Sequence, residues 1–470
     1  MIRSTYLTRS ALGLALALGL AAGSAAPAVA KEKDKAASGA AKIAPSKPVM
    51  AIYAPLKTAI DAAGKRPDVV QAKANVATAA AAVNAASGKT ARATARTNYD
   101  AAVAALGATL TAEKAQLEQM RAAGTTADDK YAYGQMAFAL GKLAEDKMLQ
   151  RTGLASSVES GKLTPEQSAE FNFFVGALAF DMRDYAAART ALQAADAAGY
   201  TKNDVVGMLA EAYFNDNKAT DGIAYLQSAI AKRGGTPPEE WLRRGEVVSY
   251  NAKMIDPAAN FGSMLVKHYP TTQNWALSIA VLRDLARYPS QDMIDLLRLM
   301  DRTKSYMEGR DYIEYIQAAD PRRSPGEVMK VVNAGLASGK LAAGDITVTE
   351  AKTIASGRIA ADKASLAGLE RDARGAAATP TIVMAAADAY LSYDQAAKAA
   401  ELYQLALTKP GVDTARALTR LGIAQVDMGQ AAAAQATFAK VEGPRKAMAQ
   451  LWSAYAASKA VPAAPAAPAQ

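Results

Sequence analysis

Two stretches of the chain, beginning at Ala169 and Asn203, carry one helical pattern in phase, 34 residues apart. In the first, Val175, Gly176, Ala179, Ala188, Leu192 and Ala195 hold the small and apolar positions; in the second, Leu209, Ala210, Tyr213, Gly222, Leu226 and Ala229 hold the equivalent ones. A helix–turn–helix unit of this size cannot bury its own apolar stripe, so it must stack on a neighbour. The pattern returns near the C-terminus, where Ala387, Tyr390, Ala399, Tyr403 and Ala406 precede Gly422, Gln425, Ala434, Phe438 and Val441 by 35 residues. Alanine dominates and aromatic residues are only 6% of the chain. That composition suits closely packed helices and suits a sheet poorly.

The rest of the chain is divided by its punctuation. Residues 1–30 read as a signal peptide: Arg3 and Arg9 flank a positive start, Ala11 to Ala22 is apolar, and Ala28-Val29-Ala30 is a small-x-small end. The apolar run is too short to span a bilayer. Residues 31–50 read as a flexible linker rich in Lys, Ala, Ser and Pro, and 51–160 as an Ala-rich helical region. Two or three helices are expected up to Leu117, then one from about Asp128 through Gln150. Thr164-Pro165 is a helix start, with Thr164 as N-cap and Pro165 at the first helical position. Helix pairs fill 161–300, with further units near Pro238 and Thr272. In 301–379 the repeat is lost, and the segment is either degenerate repeats or an inserted helical subdomain. Repeats resume over 380–459 and end in a capping helix; 460–470 is a Pro-Ala tail with nothing to bury.

The positions above resemble the tetratricopeptide repeat family. Leu418, Leu421 and Gly422 match its opening, Ala434 and Phe438 its second helix, and Leu209, Ala210 and Tyr213 match with alanine for glycine. Gln425 departs from the expected tyrosine, and the middle of the chain departs broadly. The resemblance implies an all-α fold: a right-handed superhelical solenoid of antiparallel helix pairs, with the Ala-rich helices at its N-terminal side. It also implies a non-enzymatic scaffold that binds a peptide or partner protein in a concave groove. Carried onto this chain, the groove is lined by Phe173 and Phe180, then Glu211, Phe214 and Asn215, then Asp388 and Leu391. The three phenylalanines also fit a purely structural role, packing between helices or against the N-terminal region.

Charge and residue inventory narrow the function classes. The formal charge is +9, and between Lys31 and Ser160 there are 18 Lys or Arg against 12 Asp or Glu. This modest excess is no dense basic stripe, so nucleic acid is not an expected partner. Cysteine is absent and His268 is the only histidine, which removes disulfides, thiolate catalysis and the usual zinc sets. No Gly-x-Ser-x-Gly or phosphate-binding loop occurs, so no metal, nucleotide or other cofactor is expected. Two alternatives to the peptide groove stay open. Arg243, Arg244, Arg283, Arg287, Arg298, Arg302, Arg310, Arg322 and Arg323 could converge on an anionic polysaccharide or cell-wall fragment. A pair among Asp292, Asp295, Asp301, Glu308, Asp311 and Glu314 could serve a glycan hydrolase, although their alternation with arginines reads better as i,i+3 and i,i+4 pairs. The expected setting is the cell envelope: periplasmic if the source is Gram-negative and secreted otherwise, with no membrane span in the mature chain. Self-association through the Ala-rich helices fits the same reading.

Overall fold

The structure is a computed structural model that describes residues 43–460. The expected signal peptide, the linker up to residue 42 and residues 461–470 of the tail lie outside the described residues. Every regular element among the described residues is helical, and the fold is an all-α solenoid of paired antiparallel helices. The chain divides into two compact units, one up to Ala212 and one from Tyr213.

The first unit contains α1 (Lys47–Ala63), α2 (Pro67–Ala85), α3 (Lys89–Thr109), α4 (Thr111–Ala123), α5 (Ala127–Leu143), α6 (Lys147–Glu159), α7 (Pro165–Asp181), α8 (Tyr185–Ala197) and most of α9 (Val205–Asn215). Helix α1 starts at Lys47, inside the stretch expected to be linker. Asp129 ties it down by accepting from the Ser46 N–H (2.7 Å) while completing a capping box with Thr126 at the start of α5. Leu56, Leu106, Leu110, Leu117, Met120 and Leu140 form the core of α1, α3, α4 and α5. Helices α2 and α3 pair mainly with each other, burying little beyond Val69, Val76, Ala95 and Leu106.

The single helix expected from Asp128 through Gln150 is two. Glu145 turns to a φ of 55°, and Asp146 caps α6 by accepting from the Leu149 N–H. The resulting α5–α6 hairpin crosses at Gly134 and Gly153, where added Cβ atoms would fall closer than 3 Å to the facing helix. A closely crossed helix pair therefore lies ahead of residue 161, where such pairs were expected to start. The start of α7 is as expected, with Thr164 and Gln167 forming a capping box and Pro165 in the first turn.

The second unit continues with α10 (Ala219–Arg233), α11 (Glu239–Asn251), α12 (Ile255–His268), α13 (Thr272–Ala286), α14 (Ser290–Thr303), α15 (Gly309–Ala319), α16 (Pro325–Ala337), α17 (Ile346–Arg374), α18 (Pro380–Ser392), α19 (Ala396–Leu407), α20 (Thr414–Asp427), α21 (Ala431–Phe438) and α22 (Lys446–Ala460). One register recurs in both units: a glycine on the first helix of a pair faces a large residue sixteen positions later on the second. Gly176 meets Leu192 in the first unit; Gly245 meets Phe261 and Gly422 meets Phe438 in the second. Leu192 and Phe438 thus reach the crossing point of their own helix pair.

The second unit does not end in an exposed cap. Helix α22 packs against α12 as well as α21, and α20 lies beside α14. One core runs through the whole arc, from Ala259 to Ala456, with Trp452 fully buried. The Trp452 Nε1–H donates to the Asp295 carbonyl (2.9 Å), and the Tyr288 hydroxyl donates to the Pro444 carbonyl (3.2 Å). Contacts across about 150 residues close this unit on itself.

Candidate functional site

The closure is made by charges. Helix α14 is buried continuously over Met293–Met300, and its polar face within that run is Asp295 and Arg298, one turn apart. Arg420 comes from α20 and Arg445 from the turn before α22, and both are 3% exposed. Asp295, fully buried, receives Arg420 Nε (3.0 Å), Arg445 Nη1 (2.9 Å) and Arg298 Nη1 (2.8 Å). Arg298 also forks onto Glu327 of α16 (2.7 and 2.8 Å), which accepts from the Tyr315 hydroxyl (2.6 Å). Arg420 reaches on to Asp388 of α18 (2.6 Å), itself bonded to the Tyr403 hydroxyl (2.6 Å). Asp292 takes Arg445 (2.6 Å) and Arg416 (3.0 Å). Four carboxylates and four guanidiniums thus balance in a volume largely cut off from water.

Desolvation alone would push the Asp295 carboxyl up, but Arg420, Arg445 and Arg298 hold it far below the usual carboxylate range. Glu327 is likewise lowered by Arg298 against the effect of its burial. Both stay ionised at any physiological pH. A permanently ionised, triply paired aspartate has no proton to give, so Asp295 fails the requirement for a glycosidic acid. The other carboxylates weighed for that role also have partners, several of them at the surface. Asp311 and Glu314 hold Arg283, Asp301 holds Lys304, and Glu308 with Asp311 caps α15.

Beside this cluster the second unit contains a cavity of about 460 Å³. Arg298 and Arg420 form part of its lining, with Ile294, Ala318 and Met384 as apolar wall. Its rim has a regularity that follows from the fold. Alternate helices of an antiparallel series point the same way, and closure brings α20 round to α14. The first turns or N-caps of four helices therefore open onto one space, through Gln291 of α14, Ser324 before α16, Thr381 of α18 and Asp413 before α20. Asp413 and Thr379 cap α20 and α18 with their side chains, whereas α14 and α16 have no side-chain cap bond. Helix N-termini carry partial positive charge, so this rim is electropositive beyond its side chains.

The residues expected to line a groove are scattered. Phe173 is 5% exposed and stacks on Tyr200 with ring centroids 5.0 Å apart, so it packs inside the first unit rather than lining an open surface. Leu391, 3% exposed, is likewise in the core of the second. Each of these side chains falls on the inward face of its helix, and for Phe173 this is the packing role that the sequence also allowed. Phe180 is half-buried, edge-on to Tyr185 (5.4 Å), and Glu211 is half-buried on α9. In the second unit, Phe214 packs against Gly222 under the Arg244 guanidinium (5.4 Å), and Asn215 is exposed. Asp388 alone lies at the cavity.

Most of the central arginines pair internally. Arg243 holds Glu239, Arg302 holds Asp427 and Arg310 holds Glu308, beside the Arg283 and Arg298 pairs already described. Arg323 differs, standing exposed on the cavity rim. Arg416, Arg420, Arg445 and Glu327 were not singled out from sequence. Their available signal was an arginine inside an otherwise apolar helix face, as at Arg420 beside Leu421. Among the described residues no group of three or more His, Cys, Asp or Glu is placed to hold a metal ion, and no helix is long and apolar enough to cross a membrane.

No protein-family model and no curated protein matches this chain. Among solved structures, the chain is similar to a structure of Naa15/Naa10 bound to HypK-THB, at 14% identity and a TM-score of 0.35, covering 86% of this chain and 70% of that one. It is also similar to the apo form of RapI, at 11% identity and a TM-score of 0.19, covering 77% and 96%. Both likenesses are distant.

Proposed function

We propose that this protein is a non-enzymatic binding scaffold of the cell envelope, and that the cavity of its second unit is where it holds a peptide segment of a partner protein. The observation that carries this reading is the cavity itself: a rim of four helix N-termini and an apolar wall, on a body locked by buried ion pairs. Its volume lies within the range of ligand sites, and a few placed polar groups on an apolar lining are what orient a ligand. A rigid frame also lowers the ordering cost of binding. The envelope assignment is supported by residues 1–30, whose charge and small-residue pattern suits export. An anionic polysaccharide is the weaker reading, because the arginines expected to hold it mostly pair within the fold and no aromatic ring lines the cavity to take a sugar face.

The test is photo-crosslinking of the full chain in its native envelope, with the reactive group at Thr381 on the rim. A discrete protein adduct is expected. Adducts to glycan alone, or none above those from a group at Lys232 on the exposed end of α10, would overturn the assignment.

A further inference from the structure

The rim contains guanidinium capacity that the fold does not use. Arg298 and Arg420 are committed to Asp295, Glu327 and Asp388. Arg416 is only partly committed. Its Nη2 reaches Asp292, while its Nε is buried with no hydrogen-bond partner, the Asp413 carboxylate being 3.6 Å away. A buried N–H left without an acceptor is costly, and in native proteins it calls for an explanation. Arg323 enters the same cavity from the turn before α16 and makes no side-chain ion pair among the described residues. The first turn of α14 on this rim lacks a side-chain cap, whereas α16 opens with Pro325, which has no N–H, and its Gly326 N–H is bonded to the Tyr393 hydroxyl. The unpaired Arg323 guanidinium and the uncapped first turn of α14 facing one space favour a bound anion.

We propose that the cavity recognises a carboxylate of an acidic peptide, seated against Arg323 on the rim and facing the first turn of α14. This rests on the cavity being the partner site argued above. The remaining chemistry selects a peptide over a bare anion. Asp388 and Asp413 also line the space, and their oxygens can accept the backbone N–H groups that a peptide has and an inorganic anion lacks. Ile294, Met384 and Ala385 supply the apolar contact that a chain needs and a phosphate ion does not.

The experiment measures binding of defined probes to the full chain by anisotropy and calorimetry. The probes are N-acetyl-triglutamate amide, which has side-chain carboxylates only; N-acetyl-trialanine, which has a terminal carboxylate only; N-acetyl-trilysine amide; a tetrameric uronic acid; and inorganic phosphate. Saturable binding of one or both carboxylate peptides is expected, weakening with added salt, and the two arms tell a side-chain from a terminal carboxylate. Arg323→Gln should weaken that binding tenfold or more with the melting temperature unchanged, since this side chain holds nothing in the free fold. Ala385→Trp should block the cavity without changing its charge and abolish binding.

Equal binding by both variants, no carboxylate-peptide binding, or preference for phosphate or the uronic acid would each overturn the proposal. If Thr381 still crosslinks a protein while neither peptide binds, the scaffold reading survives and only the carboxylate is lost.

Discussion

The α2–α3 hairpin of the first unit and the closing contact of the second are both helical, yet opposite forces hold them. The hairpin buries little beyond two valines, one alanine and one leucine, and its helicity rests on alanine propensity and close small-residue contact. The closing contact buries Arg420 and Arg445 against Asp295, charges whose desolvation is repaid only by full pairing. The hairpin is therefore tolerant of change and locally specified. The closure is intolerant and specified by residues more than 120 positions apart.

The sharpest way to break that contrast is Asp295→Asn. It leaves Arg420, Arg445 and Arg298 buried around a neutral amide and should cost about 3–5 kcal/mol in denaturant unfolding of the second unit. A loss below about 1 kcal/mol would mean that the ions are incidental. Acid probes the same contact. The Asp295 carboxyl is depressed in the fold, so its contribution is present above the ordinary carboxylate range and is lost as pH falls through its folded value.

Glu246 is the natural control, a carboxyl in the same unit, 1% exposed, with no arginine bonded to it and one oxygen lacking any hydrogen-bond partner. Burial pushes it up to about 8. An acid raised in the fold carries no penalty below its unfolded value near 4.5. The penalty grows as pH rises from there to about 8 and is constant above. Glu246→Gln should therefore stabilise the protein by up to about 4 kcal/mol at pH 9, with the gain vanishing near pH 4.5. A melting-temperature series of both proteins across that range checks it.

A smaller effect is expected at the other end of the chain. Asp129 is lowered to about 2: burial opposes its charge, but the N–H groups of Ser46, Thr125 and Thr126 and the Thr126 hydroxyl outweigh it. Asp129→Asn should cost about 2 kcal/mol at pH 7 and almost nothing near pH 2, and hydrogen exchange should show faster opening at the start of α1. Smallest of all, Ala81→Gly on the exposed part of α2 should cost about 1 kcal/mol, the propensity difference alone. A much larger loss there would show that the hairpin has a packing role its exposure hides.

Helix positions were legible wherever the signal was local. Thr164-Pro165 and the restart at Pro380 mark real boundaries because caps and prolines act on their own turn. The α5–α6 break was missed because Ala144-Glu145-Asp146 contains neither glycine nor proline; a non-glycine residue at positive φ makes the turn. Phe173 was placed in a groove because the repeat pattern tells which face of α7 it occupies but not that Tyr200 returns to cover it. Of the expected site residues, Asp388 reaches the cavity, and the arginines that surround it come from α14 and α20.

What the amino-acid sequence determined by itself is the helical content, the pairing of neighbouring helices and the glycine-to-large-residue register that lets each pair cross closely. These depend on contacts within about 35 residues, where propensity, capping and periodicity act directly. Only the tertiary structure decided that the second unit closes on itself, that four helix N-termini share one cavity and that Asp295 gathers three arginines. Such a cluster has no periodicity to read. Its members are polar residues that any helix could leave in water, and only the folded geometry removes them from it.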